Sequence, residues 1–247
     1  AQEIEHAQSD GVGQGLQAHA GKGMSASFAD FDHDGRLDIF VANDAVPNFL
    51  FRNNGDGTFT ETALLAGVSV PDTGRPTSSM GVDAQDYDKD GWEDIQFTAL
   101  TGETFPLFHN DSARNPGTFV EATQPSGLAA LTVKSSGWCS VVADFDNDGW
   151  KDVFTANSHV NDRIGDFEAL EFRQANSLFL NDGQGKFRDV TKAAGLATAS
   201  AAHRGCGVAD FNADGRLDVV VLSLGAPAEL WRNDSAPRSR WVVLRLG

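Results

Sequence analysis

The sequence predicts an all-β chain folded as a β-propeller of four-stranded antiparallel blades. Three observations predict it. An acidic nine-residue loop recurs four times, starting at Asp30, Asp86, Asp144 and Asp210. Short apolar segments of strand length flank every copy, and a further segment ending in Asn follows each one. The composition, with 26 Gly and 17 Phe in 247 residues, suits many short strands joined by tight turns. Repeats of four short strands at this period are the pattern of propeller blades.

The elements follow in order. A first strand leads into each loop over residues 24–29, 80–85, 139–143 and 206–209. A second leaves it over 38–42, 94–99, 152–156 and 218–222. A third ends in Asn over 49–53, 107–110, 178–181 and 230–233. A Gly-rich turn, of which residues 53–57 are the strongest hairpin signal, gives a fourth strand over 57–61, 117–121 and 185–189. The blades are accordingly expected over 22–76, 77–134, 135–202 and 203–247. Residues 1–21 read as the fourth strand of a preceding or closing blade plus a connector. The last repeat shows three strands. Residues 1–7 or the tail at 240–246 could supply its fourth, the tail could open another domain, or the chain could be part of a larger ring.

The loops carry the chemistry. The first is Asp30-Phe31-Asp32-His33-Asp34-Gly35-Arg36-Leu37-Asp38. The others place Asp86, Asp88, Asp90 and Asp94, then Asp144, Asp146, Asp148 and Asp152, then Asp210, Asn212, Asp214 and Asp218, at positions 1, 3, 5 and 9. Such clusters repel unless a cation sits among them, and Ca²⁺ takes six to eight oxygen ligands in flexible geometry. Gly at position 6 permits the sharp turn. The carbonyls at position 7, of Arg36, Trp92, Trp150 and Arg216, can add a ligand. About four Ca²⁺, one per repeat, are expected. Tight turns alone would leave the constant Asp at position 9 unexplained. An EF-hand is excluded, because position 12 is Val41, Phe97, Thr155 and Val221 instead of Glu.

The formal net charge is −16. The four loops hold fifteen Asp, so much of the acidity is ligand inventory. No basic patch suggests nucleic acid, and no apolar run reaches membrane-spanning length. Cys139 and Cys206 stand five and four residues before their loops. In a strand that difference points them to opposite faces, so buried free thiols are expected rather than a disulfide. Millimolar-affinity calcium modules are extracellular, which places the chain outside the cell, on its surface or in a periplasm.

The connection from about Asn157 to Asn176 is long enough to be functional. It lies opposite the calcium loops, with a helical turn expected over 168–174. His159, His203, Arg204 and Arg75 should reach the same face. They could form a catalytic or ligand site at the channel mouth, or simply tie loops together. No nucleophile elbow, phosphate loop, dinucleotide fingerprint or zinc spacing accompanies them.

The strand–DxDxDGxxD–strand unit resembles the FG-GAP/VCBS repeats of integrin α-chain propellers and many secreted bacterial proteins. That resemblance implies a propeller with Ca²⁺ in each loop, held by the Asp and Asn residues above and by the position-7 carbonyls. Residues 48–59, 156–160 and 230–233 are further similar to the cartilage-acidic-protein-like proteins of the ASPIC/UnbV group. In that group residues 240–246 would open the ASPIC/UnbV domain, implying a fragment of a larger propeller. The first expectation for function is a calcium-stabilised scaffold binding protein or glycan ligands. An enzyme (lyase, cyclase or hydrolase) and a surface-assembly subunit joined through open blade edges are the alternatives.

Overall fold

The computed structural model describes residues 13 and 15–236. It is all-β, with four small antiparallel sheets arranged as a four-blade propeller. Blade 1 is β1 (Gly23–Ala29), β2 (Asp38–Asn43), β3 (Phe49–Asn53) and β4 (Phe59–Glu61). Blade 2 is β5 (Val82–Gln85), β6 (Asp94–Phe97), β7 (Leu107–Asn110) and β8 (Phe119–Glu121). Blade 3 is β9 (Gly137–Ala143), β10 (Asp152–Asn157), β11 (Ser177–Asn181) and β12 (Phe187–Asp189). Blade 4 has three described strands, β13 (His203–Ala209), β14 (Asp218–Ser223) and β15 (Glu229–Trp231). The expectations for residues 1–12 and 237–247 lie outside the described residues.

One register repeats at every acidic loop. Ala29 pairs with Asp38, Gln85 with Asp94, Ala143 with Asp152 and Ala209 with Asp218. Position 9 therefore closes each hairpin opposite the residue before position 1. After each of the first three blades comes a short helical segment: α1 (Ala63–Ala66), α2 (Leu128–Thr132) and a 3-10 turn at Leu196–Thr198. Gly67, Gly127 and Gly195 beside them adopt φ of +82°, +85° and +81°, where a side chain would be strained.

The core lies between blades, because side chains alternate across each strand and each sheet faces two neighbours. Phe31, Phe40 and Leu50 of blade 1 pack with Ile95, Phe97, Phe108 and Phe119 of blade 2. Tyr87 and Leu107 of blade 2 meet Val142, Val153, Phe179 and Phe187 of blade 3. Phe145 and Phe154 of blade 3 meet Val219 and Val221 of blade 4. Alternation is visible in β6, where Phe97 faces blade 1 while Gln96 accepts a hydrogen bond from Ser140 Oγ of blade 3. Among the described residues no apolar cluster joins blade 4 to blade 1, and Phe28 of β1 is 59% exposed.

Two expectations are corrected. Cys139 and Cys206 form a disulfide, with Cα atoms 5.8 Å apart. They do point to opposite faces of their own sheets. Neighbouring blades, however, meet front to back, so opposite faces of blades 3 and 4 look at one another. Both cysteines belong to that shared interface. The helical turn of the long connection sits at Ile164–Asp166, not at 168–174. In the latter stretch only Arg173 and Gln174 are paired, in isolated bridges with Ser158 and Ala201.

Candidate metal sites

Each acidic loop is wound by its own carboxylates. The position-1 Asp takes the Gly amide of position 6 on Oδ2: Gly35 N donates to Asp30 at 2.8 Å, Gly91 N to Asp86 at 2.9 Å, Gly149 N to Asp144 at 2.8 Å and Gly215 N to Asp210 at 2.8 Å. The position-5 Asp accepts from the amide two residues on, so Arg36, Trp92, Trp150 and Arg216 donate to Asp34, Asp90, Asp148 and Asp214. Position 4 takes positive φ even without glycine: His33 at 56°, Lys89 at 63°, Asn147 at 56° and Ala213 at 60°. This tight winding turns the odd-numbered side chains inward.

The inward carboxylates converge. Single oxygens of Asp30, Asp32 and Asp34 lie within 4.8 Å of one another, as do those of Asp86, Asp88 and Asp94, and those of Asp144, Asp146 and Asp152. In the fourth loop Asn212 Nδ2 donates to Asp214 Oδ2 at 2.8 Å, replacing one carboxylate of the arc with an amide. Buried oxygens are left over: Asp32 Oδ1 and Asp86 Oδ1 have no hydrogen-bond partner. Buried carboxylate oxygens without a donor are costly. An oxygen-only donor set of this kind fits a hard divalent cation.

Position 9 has a second duty that sequence reasoning missed. Oδ1 of Asp38, Asp94, Asp152 and Asp218 accepts the amides of Asn53, Asn110, Asn181 and Asn233, at 2.9, 2.8, 2.9 and 2.8 Å. In the last three, Oδ2 also takes the amide of position 2: Tyr87, Phe145 and Phe211. The constant Asp thus staples the loop to the third strand, with or without metal. Burial pushes the Asp38 carboxyl up, that of Asp94 to about 6 and that of Asp152 to about 7, against the backbone donors that favour the charged forms.

A further cation arm differs from blade to blade. Arg52 Nη1 lies 2.9 Å from Asp32 and 3.1 Å from Asp38. His109 occupies the matching place in blade 2, 3.2 Å from both Asp88 and Asp94, which raise its pKa to about 10. Blade 3 has Leu180 there, and in blade 4 Arg232 pairs with Asp234 at 2.7 Å. The loops also touch in series. His33 stacks on Trp92 at 3.9 Å, Lys89 lies over Trp150 at 4.2 Å, and Asn147 Nδ2 donates to Gly215 O at 3.0 Å. All four therefore line one end of the fold. In blades 2, 3 and 4 the Asn at the end of the third strand, or two residues beyond it in blade 4, reaches back to the preceding blade: Nδ2 of Asn110, Asn181 and Asn233 donates to the carbonyls of Phe31, Tyr87 and Phe145.

At the opposite end the four other candidates are only partly gathered. His203 is fully buried, its Nδ1 at 3.1 Å from Gln174 O and its Nε2 at 3.3 Å from Glu229. Arg204 lies 4.0 Å over the Trp138 ring and donates to Ser158 Oγ and to His203 O. His159 is buried in its own loop, where Nδ1 accepts the Asn161 amide at 3.1 Å. Arg75 stands apart, in a polar groove of about 760 Å³ shared with Glu103 and Glu121. The contacts of His203 and Arg204 join separate segments of the chain.

Comparison with known proteins agrees with this architecture. The FG-GAP-like repeat model matches residues 30–96 and 161–221, more than half of the chain. Cartilage acidic protein 1 of Mus musculus is 31% identical over 215 residues, covering 83% of this chain and 30% of the mouse protein. Its Homo sapiens counterpart is 30% identical over 215 residues, covering 83% and 29%. The chain thus spans about a third of the length of these relatives. A lectin of Agrocybe aegerita, described as recognising non-reducing terminal N-acetylglucosamine, superposes with a TM-score of 0.40 at 21% identity, over 84% of this chain and 51% of the lectin. With its matched repeats and its four sheets, the chain belongs to the FG-GAP-like repeat family.

Proposed function

We propose that this chain is a calcium-stabilised extracellular scaffold that presents a ligand surface on the end opposite its acidic loops. The observation that carries the calcium reading is the convergence of three carboxylates in each of the first three loops, with buried, partnerless oxygens on Asp32 and Asp86. The Asp residues at positions 1, 3 and 5, with Asn212 in the fourth loop, would hold the ion, aided by position 9 and by the carbonyls of Arg36, Trp92, Trp150 and Arg216. A bound ion supplies charge compensation and pins each hairpin, so binding adds to folding stability. The disulfide supports an oxidising location, whether extracellular, cell-surface or periplasmic. Among the described residues no helix is long and apolar enough to cross a membrane.

The ligand surface is assigned to the long connection after β10. There Phe167 is 72% exposed and Val160 48% exposed on a segment otherwise held by buried His159 and Ser158. Apolar side chains held outward on an anchored loop suit a protein or glycan ligand. Calcium titration by calorimetry, with melting in calcium and in EDTA, tests the first half of the proposal. An unchanged melt and no binding heat would overturn it. Phe167→Ser in a binding screen against glycans and extracellular proteins tests the second half. A partner whose affinity the variant leaves intact would move the surface elsewhere.

A further inference from the structure

One acidic loop differs from the rest in what its third strand offers it. The residue before the Asn is Arg52 in blade 1, His109 in blade 2, Leu180 in blade 3 and Arg232 in blade 4. A guanidinium stays protonated and has no lone pair to give, and Leu has no donor atom at all. At this place His109 alone brings a ring nitrogen to a loop of carboxylates.

The ring is firmly seated. Its neighbours in β7, Phe108 and Asn110, are fully buried, and buried Tyr87 meets the imidazole edge-on at 6.5 Å. Nδ1 lies 3.2 Å from Asp88 Oδ2 and 3.2 Å from Asp94 Oδ1. This nitrogen is buried and has the geometry of a hydrogen bond to neither. Equidistant from two oxygens and aligned with neither, it stands as one more member of a ligand ring. Asp86 Oδ1, from the first position of the same loop, is likewise buried without a partner. Oxygens of Asp86, Asp88 and Asp94 lie within 4.8 Å of one another, and so do ligand atoms of Asp88, Asp90 and His109. Nε2 faces Asp90 Oδ2 at 3.8 Å, and a ligating imidazole keeps its remaining N–H on the side of such a carboxylate.

We propose that the second acidic loop takes a borderline divalent metal of the Zn²⁺ class in preference to Ca²⁺, with His109 Nδ1 as a ligand beside the carboxylates of Asp86, Asp88 and Asp94. The carboxylate half of this set rests on the reading of the acidic loops as cation sites; the nitrogen is an addition to it. Ca²⁺ draws on oxygen ligands, whereas an imidazole among carboxylates favours Zn²⁺ and its first-row neighbours. Ion binding releases the Nδ1 proton to solvent. The first and third loops, with oxygen donors only, are the internal controls.

Zinc titration of the full chain, competed against a chromophoric chelator in excess calcium, tests this, with Co²⁺ absorption reporting the nitrogen ligand. One Zn²⁺ per chain should bind at least about tenfold more tightly than any further zinc. His109→Leu, which copies blade 3, and the more polar His109→Gln should each weaken that site about tenfold or more and remove the Co²⁺ spectral change. Melts in EDTA check that the variants are folded. Equal zinc affinity in wild type and both variants would overturn the proposal, and so would a wild-type Co²⁺ spectrum of oxygen ligands alone. Zinc lost on His33→Ala instead would also overturn it, by placing the ion against Glu93, 3.4 Å from His33. Calcium calorimetry in parallel separates the two readings. Zinc held through His109 by a chain that binds no calcium would refute the calcium sites alone; calcium bound by a chain whose zinc is indifferent to His109 would refute this proposal alone.

Discussion

Replacing Asp152 by Asn separates the two duties of position 9. Asp152 is fully buried and accepts two amides, Asn181 N on Oδ1 and Phe145 N on Oδ2, both at 2.9 Å. Asn keeps one acceptor and turns an NH₂ towards the other amide. Leaving one buried donor unpaired costs about 1–3 kcal/mol, partly offset because Asn removes a carboxyl that burial already pushes to about 7. That cost applies with or without metal. If Asp152 also holds Ca²⁺, the variant loses binding energy besides. A site of roughly 10⁻⁴–10⁻³ M affinity at about 10 mM calcium contributes about 1.4–2.7 kcal/mol. The variant should therefore lose about 1–3 kcal/mol more in calcium than in EDTA, or roughly 2–10 °C of Tm for a chain of this size. Thermal melts of wild type and variant in both buffers give the four values needed. Equal losses in the two buffers would refute a ligand role and leave Asp152 as a hydrogen-bonding staple alone.

The remaining predictions concern pH, the disulfide and the cation arm. In EDTA, Asp94 and Asp152 hold protons in the folded state at pH values where the unfolded chain, with carboxyls near 3.8, has lost them. Stability without calcium should thus fall as pH rises from about 4 to about 7, and calcium should flatten that slope; melts across this window that stay level in EDTA would contradict the burial argument. Replacing both cysteines by Ser, or reducing the bond, should cost about 4 kcal/mol by loop-closure entropy, since Cys139 and Cys206 are 67 residues apart. Denaturant unfolding measures it, and a loss below about 1 kcal/mol would mean that the two blades are held by packing alone. Arg52→Gln should raise calcium affinity at the first loop several-fold, because Arg52 already sits on Asp32 and Asp38. Calorimetry that shows no tightening would mean that the arm does not compete with the ion.

Much of the fold was legible because the repeat unit is local. The register that pairs Ala29 with Asp38 is set by a nine-residue hairpin, and a hairpin leaves its mark within its own residues. The third strands that end in Asn53 and Asn110 were legible at both bounds for the same reason. The disulfide was not legible, since its geometry depends on how one blade faces the next. Offsets of five and four residues describe faces of separate sheets, and only blade packing turns opposite faces into adjacent ones. Arg52 and His109 were missed as companions of the acidic loops because they lie on the third strand, with no spacing that ties them to Asp32 or Asp88. A charged or titratable residue immediately before the Asn in three of four repeats, Arg52, His109 and Arg232, was the available signal.

The same distinction explains why Asn ends the third strand in blades 1 to 3 and stands two residues beyond it in blade 4. Read within one blade, Asn is a turn former, and Asn53, Asn110, Asn181 and Asn233 do accept the amide two residues on. Read across blades, the same side chain is a clamp, its Nδ2 donating to the carbonyl of position 2 in the loop before. The clamp ends where the position-9 Asp holds the Asn backbone amide, so each of the first three acidic loops is tied to its own third strand and to the Asn at or beyond the end of the third strand of the next blade. Stacking of His33 on Trp92 and of Lys89 over Trp150 adds a further link along the same end. An ion gained or lost in one loop is therefore felt at a blade interface and not only in a hairpin. This is the physical reason to expect the acidic loops to melt together: a single cooperative transition in EDTA, with all four loops released at one midpoint, is what such ties require. Separate transitions blade by blade would show that the clamps carry little energy.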